Sequence, residues 1–246
     1  MILLITGAGR GIGAATARLA AARGYDVCIN YRRNSDAAAR VVADVEAAGR
    51  RAVAVEADVS VEADVVRLFD TCDRQLGRLD ALVNNAAILE TQMRLDAMDA
   101  ARVTRVLAIN VVGPFLCARE AVRRMSTRYG GPGGAIVNVS SGAARLGSPN
   151  EYIDYAASKG ALDTMTTGLA KEVAGEGIRV NAVRAGHVYT ELHASGGEPN
   201  RVERVKNLVA MKRGGQPEEI ARAILWLLSD EASYATGAFL DVAGGN

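Results

Sequence analysis

The chain has 246 residues, 49% of them apolar, and 29 Lys and Arg against 28 Asp and Glu give a formal charge of +1. That length and apolar content suffice for one large core, so a single domain spanning residues 1–246 is expected. With little net charge and only 4% aromatic residues, neither a basic field nor a set of stacking platforms speaks for nucleic acid; a small neutral or anionic ligand fits better.

In chain order, short apolar runs alternate with longer helical patterns. "ILLIT" (2–6) leads through a glycine-rich turn into a helix with the body "AATARLAAARG". "DVCINY" (26–31) precedes "DAAARVVADVEAAG", and "RAVAVEAD" (51–58) precedes "EADVVRLFDTCDRQLG". In both helical segments apolar residues recur at spacings of three and four, with glycine near the end. Further strands are expected at "ALVNN" (81–85), "AIVNVSS" (135–141), "RVNAV" (179–183) and "AFLDV" (238–242). The alternation predicts a doubly wound α/β fold: seven parallel strands, right-handed crossovers and helices on both faces. "YGGPGGA" (129–135) and "SGGEPN" (195–200) read as surface loops.

The N-terminal apolar run is too short, and lacks the charged flank, for a signal peptide. No window approaches the roughly 18 apolar residues of a membrane helix, and a cytoplasmic protein is expected. Cys28, Cys72 and Cys117 have no CxxC or Cys/His spacing, so they read as small buried side chains in a reducing compartment. His187 and His193 stand six apart without a third ligand, and no metal is expected.

"TGAGRGIG" (6–13) sits between the first strand and the first helix. Gly7, Gly11 and Gly13 leave room for a tight turn and for a pyrophosphate to approach the backbone N–H groups at the helix start. The residue that meets the adenosine ribose is expected at the end of the second strand. An acidic residue there would suit NAD, but the chain reads "NYRRNS" (30–35), and Arg32 and Arg33, with Arg10 from the turn, suit the 2'-phosphate of NADP. Asp36 is close enough in sequence to offset part of that charge.

In "EYIDYAASKGA" (151–161), Tyr155 and Lys159 are four apart and share a helix face, whereas Tyr152 meets Ala156 at that spacing. A phenol of ordinary pKa near 10 needs a nearby cation to pass a proton both ways around neutral pH. Lys159 is expected to lower the Tyr155 pKa and to reach a cofactor ribose hydroxyl. Ser140 and Ser141 end the fifth strand, at the carboxyl edge where such sheets bind ligands. Asn110 interrupts the apolar run "VLAINVVGPFL" and, if buried, requires hydrogen-bond partners.

Together, "TGAGRGIG", "AD" (57–58), "NNAA" (84–87), Asn110, "NVSS" (138–141), "YAASK" (155–159), "VNAVRAG" (180–186) with Thr190 and "GQPEEIARAILWLLSDEASYATG" resemble the classical short-chain dehydrogenases/reductases over essentially the whole chain. The resemblance implies a Rossmann sheet, hydride transfer between NADP(H) and a carbonyl or secondary alcohol, and a catalytic tetrad of Asn110, Ser141, Tyr155 and Lys159. Ser141 would bond the substrate oxygen, Tyr155 would give the proton, and Asn110 would hold Lys159 through a water. The cofactor would touch the glycine turn with Arg10 and Ile12, Arg32 to Ser35 including Asn34, Asp58 and Val59 near adenine, and Asn85 and Ala86 at the ribose. Gly186, Val188 and Thr190 would hold the nicotinamide end. Three features depart from the family: "NNAA" replaces "NNAG", "RAG" replaces x-Pro-Gly, and Tyr155 follows Ser141 by fourteen residues against the commoner thirteen. "SPNEYID" therefore carries an extra residue, and Ser140 stands as a rival to Ser141.

The substrate depends on residues 187–215, which cannot be decoded, although His187, Tyr189 and Tyr152 are candidates to line its pocket. The branch resembled contains 3-oxoacyl carrier-protein reductases and glucose-dehydrogenase-like proteins. Arg128 suits an acidic carrier protein, but Glu176 stands where those reductases have a basic residue. A protein that only sensed a dinucleotide would not need Ser141, Tyr155 and Lys159 together. By analogy with the family, the helices starting near Asp99 and Tyr155 imply a homotetramer, with a dimer as the alternative.

Overall fold

A computed structural model describes residues 1–245. Seven strands form one parallel sheet: β1 (Ile2–Ile5), β2 (Asp26–Tyr31), β3 (Ala52–Glu56), β4 (Ala81–Asn84), β5 (Gly134–Ser141), β6 (Ile178–Ala185) and β7 (Phe239–Val242). Their order is β3-β2-β1-β4-β5-β6-β7. Each lies on an expected strand, with ends shifted by up to two residues. The expected doubly wound α/β architecture is the one observed.

The helices are α1 (Gly11–Ala22), α2 (Ser35–Ala47), α3 (Glu62–Gln75), α4 (Ala100–Leu107), α5 (Gly113–Met125), α6 (Ala143–Leu146), α7 (Ile153–Val173), α8 (Leu192–Ser195), α9 (Arg201–Val205) and α10 (Pro217–Leu228). Alternate residues of each strand face opposite layers. Leu3, Ile5, Val27 and Val137 pack with Ala17 of α1, Val41 of α2 and Ile224 of α10. Ile2, Leu4, Leu82 and Ile136 pack with Phe69 of α3, Cys117 of α5 and Leu162 of α7 on the other side. All three cysteines are buried and free; burial pushes the Cys117 thiol up to about 12.

One expectation needs correction. The helix Ala100–Met125 runs through a π turn at Ala108–Val112 and is, by length and composition, apolar enough to cross a membrane. The interruption by Asn110 hid that continuity. Its apolar residues have another use, because Cys117, Ala118, Ala121 and Met125 cover the sheet, and Arg102 and Asn110 are buried along it.

The strand order reverses direction between β1 and β4, so the loops leaving their carboxyl ends diverge and open a crevice there. The long excursion between β6 and β7, carrying α8, α9 and α10, closes over it.

Candidate active site

Two cavities meet at this crevice. A groove of about 460 Å³ runs along Gly7, Arg10, Gly11, Asp58, Val59 and Ala86. A smaller cavity of about 130 Å³ is lined by Ser141, Tyr152, Tyr155, Lys159, Gly186, His187 and Val188. Ile12, Asn85, Thr190 and Leu192 line both.

The groove begins at the glycine turn. Gly7 has φ +64°, and a Cβ there would stand 2.9 Å from Ala86 Cα. At Gly13 a Cβ would meet the Asn85 amide at 2.7 Å and the Gly7 carbonyl at 2.8 Å. Glycine thus permits both the turn and the close seating of α1 against the sheet, leaving backbone N–H groups toward the groove as a pyrophosphate requires. Two residues not singled out from sequence brace this turn. Asn30 Oδ1 accepts from Gly7 N at 3.1 Å while its amide donates to Ala57 O at 3.0 Å. The Thr6 hydroxyl accepts from Asn85 N at 2.9 Å and Ala86 N at 3.0 Å. Polar residues closing otherwise apolar strands were the available signal.

Arg32, Arg33 and Asn34 from the exit of β2 line the groove as well, together with Arg10 of the turn itself. Arg32 Nε pairs with Asp58 at 2.8 Å, so Asp58, not Asp36, offsets one guanidinium. Among the described residues, neither Arg10 nor Arg33 has a carboxylate partner. Asn34 Oδ1 accepts from Ala37 N at 2.9 Å and caps α2. Ser35, by contrast, is exposed on the first turn of α2 and does not line the groove.

Ser140 and Ser141, as successive strand residues, point to opposite faces. Ser140 donates to Asp163 at 2.6 Å, and Asp163 pairs with Arg184 at 2.8 Å, so its hydroxyl is fixed in a structural network. Ser141 Oγ accepts from Ala143 N at 3.1 Å, which leaves its proton for the cavity, beside the Tyr155 phenol. Between Ser141 and Tyr155 the backbone is left-handed at Gly147, Ser148 and Asn150.

Tyr155 and Lys159 do share a face of α7. Lys159 Nζ lies 5.6 Å from the Tyr155 ring centroid and donates to Val139 O at 2.7 Å. Burial pushes the Tyr155 phenol up to about 12, opposed by hydrogen bonding with Ser141. Burial draws Lys159 down to about 8, opposed by Asp163. The expected depression of the tyrosine is therefore not found in the pair as it stands. Desolvation dominates, and the hydrogen bond of the Lys159 cation goes to the Val139 carbonyl rather than to the phenol.

Asn110 is fully buried off the cavity, in the π turn. Its Oδ1 accepts from Ile88 N at 2.9 Å, and its amide donates to Ile88 O at 3.0 Å and to Ser158 Oγ at 3.1 Å. It thus ties the strand β4 exit to the residue beside Lys159. A second brace escaped the sequence reading: Asp154 accepts from Tyr155 N at 2.9 Å and pairs with buried Arg102 at 2.7 Å, locking the start of α7 to α4.

Of the substrate candidates, Tyr152 and His187 line the small cavity. Tyr189 does not: its hydroxyl donates to Glu203 at 2.7 Å on the surface, because the Val188–Gly215 bridge turns the chain at this point. His193 and Arg201 take its place in the wall. At Gly186 a Cβ would stand 2.6 Å from Ala243 Cα, so the glycine of the altered "RAG" sequence is sterically required.

Residues 7–246 match a family model described as enoyl-(acyl carrier protein) reductase. The chain is 59% identical to the uncharacterized oxidoreductase YgfF of Escherichia coli (strain K12), over 99% of each chain. Among solved structures it matches a short-chain dehydrogenase/reductase from Serratia marcescens with TM-score 0.91 and 32% identity, covering 99% of this chain and 96% of that one. It likewise matches a 3-ketoacyl-(acyl-carrier-protein) reductase from Brucella melitensis complexed with NADH, with TM-score 0.91 and 33% identity, covering 99% and 97%.

Proposed function

This chain belongs to the short-chain dehydrogenase/reductase family, and from that premise we propose an NADP(H)-dependent oxidoreductase that interconverts a small carbonyl compound and its secondary alcohol, with Tyr155 as acid and base. The observation that carries this reading is the convergence of Ser141, Tyr155 and Lys159 on a cavity continuous with a glycine-cradled groove. The residues fit a dinucleotide: the backbone at Gly7 and Gly13 has no room for a Cβ, and Arg10, Arg32 and Arg33 line the groove. When bound, the nicotinamide supplies or accepts the hydride.

In reduction the carbonyl carbon gains the hydride, the C=O π bond breaks, and the oxygen takes the Tyr155 proton. Ser141 donates a hydrogen bond to the same oxygen and steadies its developing charge. The Tyr155 phenol, held up to about 12 by burial, keeps its proton until the substrate oxygen takes it. Lys159 places a cation beside the phenolate then formed, and Val139 fixes that cation's position. Asn110, through Ser158, is a positioning residue for α7.

Arg10, Arg32 and Arg33 support NADP over NAD, since three guanidiniums line the groove against two carboxylates, Asp58 and Glu191, of which Asp58 pairs with Arg32. Exposed Leu107, Val112 and Phe115 on the α4–α5 rod support a homotetramer, which light scattering would test. The reading places the whole chain in one cytoplasmic domain. A second reading, a 3-oxoacyl carrier-protein reductase, is favoured by the likeness to the Brucella enzyme; binding of an acyl carrier protein would decide it. The primary test follows NADPH and NADH absorbance over a panel of diketones, quinones, sugars and 3-oxoacyl thioesters. Turnover is expected to prefer NADPH and to vanish in Tyr155→Phe while NADPH binding persists; near wild-type activity in that variant would remove Tyr155 as the acid.

A further inference from the structure

The small cavity has a second polar wall that hydride transfer does not use. Tyr152 is 2% exposed, yet its hydroxyl lacks a well-formed hydrogen bond, the adjacent Gln92 side chain being near enough to favour the phenolate but turned to other acceptors. The neighbouring Gln92 amide donates instead to Glu198 and Glu151. His193 Nδ1 is likewise buried without a well-formed hydrogen bond, with the Val188 carbonyl near the ring. A buried polar group left unpaired costs stability, and such groups in a ligand cavity point to a ligand that pairs them.

We propose that Tyr152 and His193, backed by Arg201, form a subsite for an uncharged oxygen of the substrate, which makes the substrate a compact hydroxy ketone or diketone. This rests on the reading above, in which Ser141 and Tyr155 hold the reacting carbonyl.

The charge balance of the wall selects against an acid. Arg201 packs 4.7 Å from the Tyr152 ring centroid, and its guanidinium is answered by Glu151 at 2.5 Å and Glu198 at 3.2 Å. Arg204 bonds the same two glutamates. Two cations against two anions leave this wall without net charge, and the Lys159 cation lies beside Tyr155 at the reacting end. The histidines add none: burial, then Arg201, holds His193 down to about 4, and the same two causes lower His187. Burial raises the Tyr152 phenol, so it too is neutral.

Around this wall the cavity is lined by apolar Leu89, Leu146, Val188 and Leu192, with Ser148 and His187 the nearby polar side chains that carry no charge. A wholly apolar ketone would leave both orphans unpaired, and a carboxylate would be desolvated against a neutral ion cluster. The volume, about 130 Å³, is near the roughly 150 Å³ that holds a benzene ring, which limits the enclosed part to a few heavy atoms.

The test compares 2,3-butanedione and 3-hydroxy-2-butanone with 2-butanone and 2-oxobutanoate, using NADPH. The expected kcat/KM is higher by about tenfold or more for the two compounds with a second neutral oxygen. Tyr152→Phe should lower that ratio by about tenfold without a lower melting temperature, and His193→Leu provides a second variant. A preference for 2-oxobutanoate, or a ratio unchanged in both variants, overturns the subsite. Calorimetry on the NADP-loaded protein separates this from failure of the reaction itself. Tighter binding of 3-hydroxy-2-butanone than of 2-butanone, abolished by Tyr152→Phe, supports the subsite even without turnover. Equal binding refutes it even if both are reduced.

Discussion

Replacing Arg33 by alanine removes a guanidinium that faces the adenosine end of the groove and has no carboxylate partner among the described residues. A charge-assisted hydrogen bond is worth about 1.5–3 kcal/mol, and the lower figure applies because Arg33 is exposed to solvent. About 1.5 kcal/mol corresponds to roughly tenfold weaker NADPH binding, with NADH changed by less than about twofold. Arg32 behaves differently. It already pairs with Asp58 at 2.8 Å, so Arg32→Ala also leaves a bare carboxylate beside the phosphate position. That repulsion adds about 1 kcal/mol in water-like surroundings, for a total near sixtyfold. Fluorescence titration of NADPH and NADH against both variants, at two salt concentrations, measures these losses, and the NADPH penalties should shrink as salt screens the site. Equal losses for the two cofactors, or an unchanged NADPH to NADH ratio in both variants, would refute the assignment of these arginines to a 2'-phosphate.

Lys159, ordinarily near 10.5 but lowered to about 8 by burial, carries its charge below that pH and loses it above. The rate of reduction at saturating NADPH should therefore fall as pH rises through about 8; a profile flat to about pH 10 would contradict the role given to its cation. The unfolded chain keeps this proton to higher pH than the folded one, so Lys159's contribution to stability rises with pH between about 8 and 10.5. Asp154→Ala strands buried Arg102 and frees the start of α7, and should lower unfolding free energy by about 3 kcal/mol or more, with activity lost as Tyr155 shifts. Denaturant titration checks it, and a loss below about 1 kcal/mol would show that the ion pair is not structurally important. Gly13→Ala would put a methyl 2.8 Å from the Gly7 carbonyl, and should weaken both cofactors alike, by calorimetry; selective loss of one would be inconsistent with a backbone cause.

Much of this protein was decided locally. Parallel strands buried on both faces must be near-continuous apolar runs, and amphipathic helices must repeat at three and four residues, so the seven strands were legible in order. The glycine turn was legible because only glycine fits where backbone meets backbone, and Tyr155 with Lys159 because the helical repeat places them on one face. What remained hidden depended on contacts across the chain. Asn30 supports the glycine turn from another strand, and Asp154 meets Arg102 only because α4 and α7 pack together. Both Ser140 and Ser141 line the cavity, and that the Ser140 hydroxyl is taken up by Asp163 depends on where that residue sits on α7. Tyr189 turned outward and His193 with Arg201 inward because the excursion after β6 folds back at Val188 and Gly215. The tyrosine pKa also lay beyond sequence, since spacing supplies the neighbouring cation but only burial decides whether charge attraction or desolvation prevails.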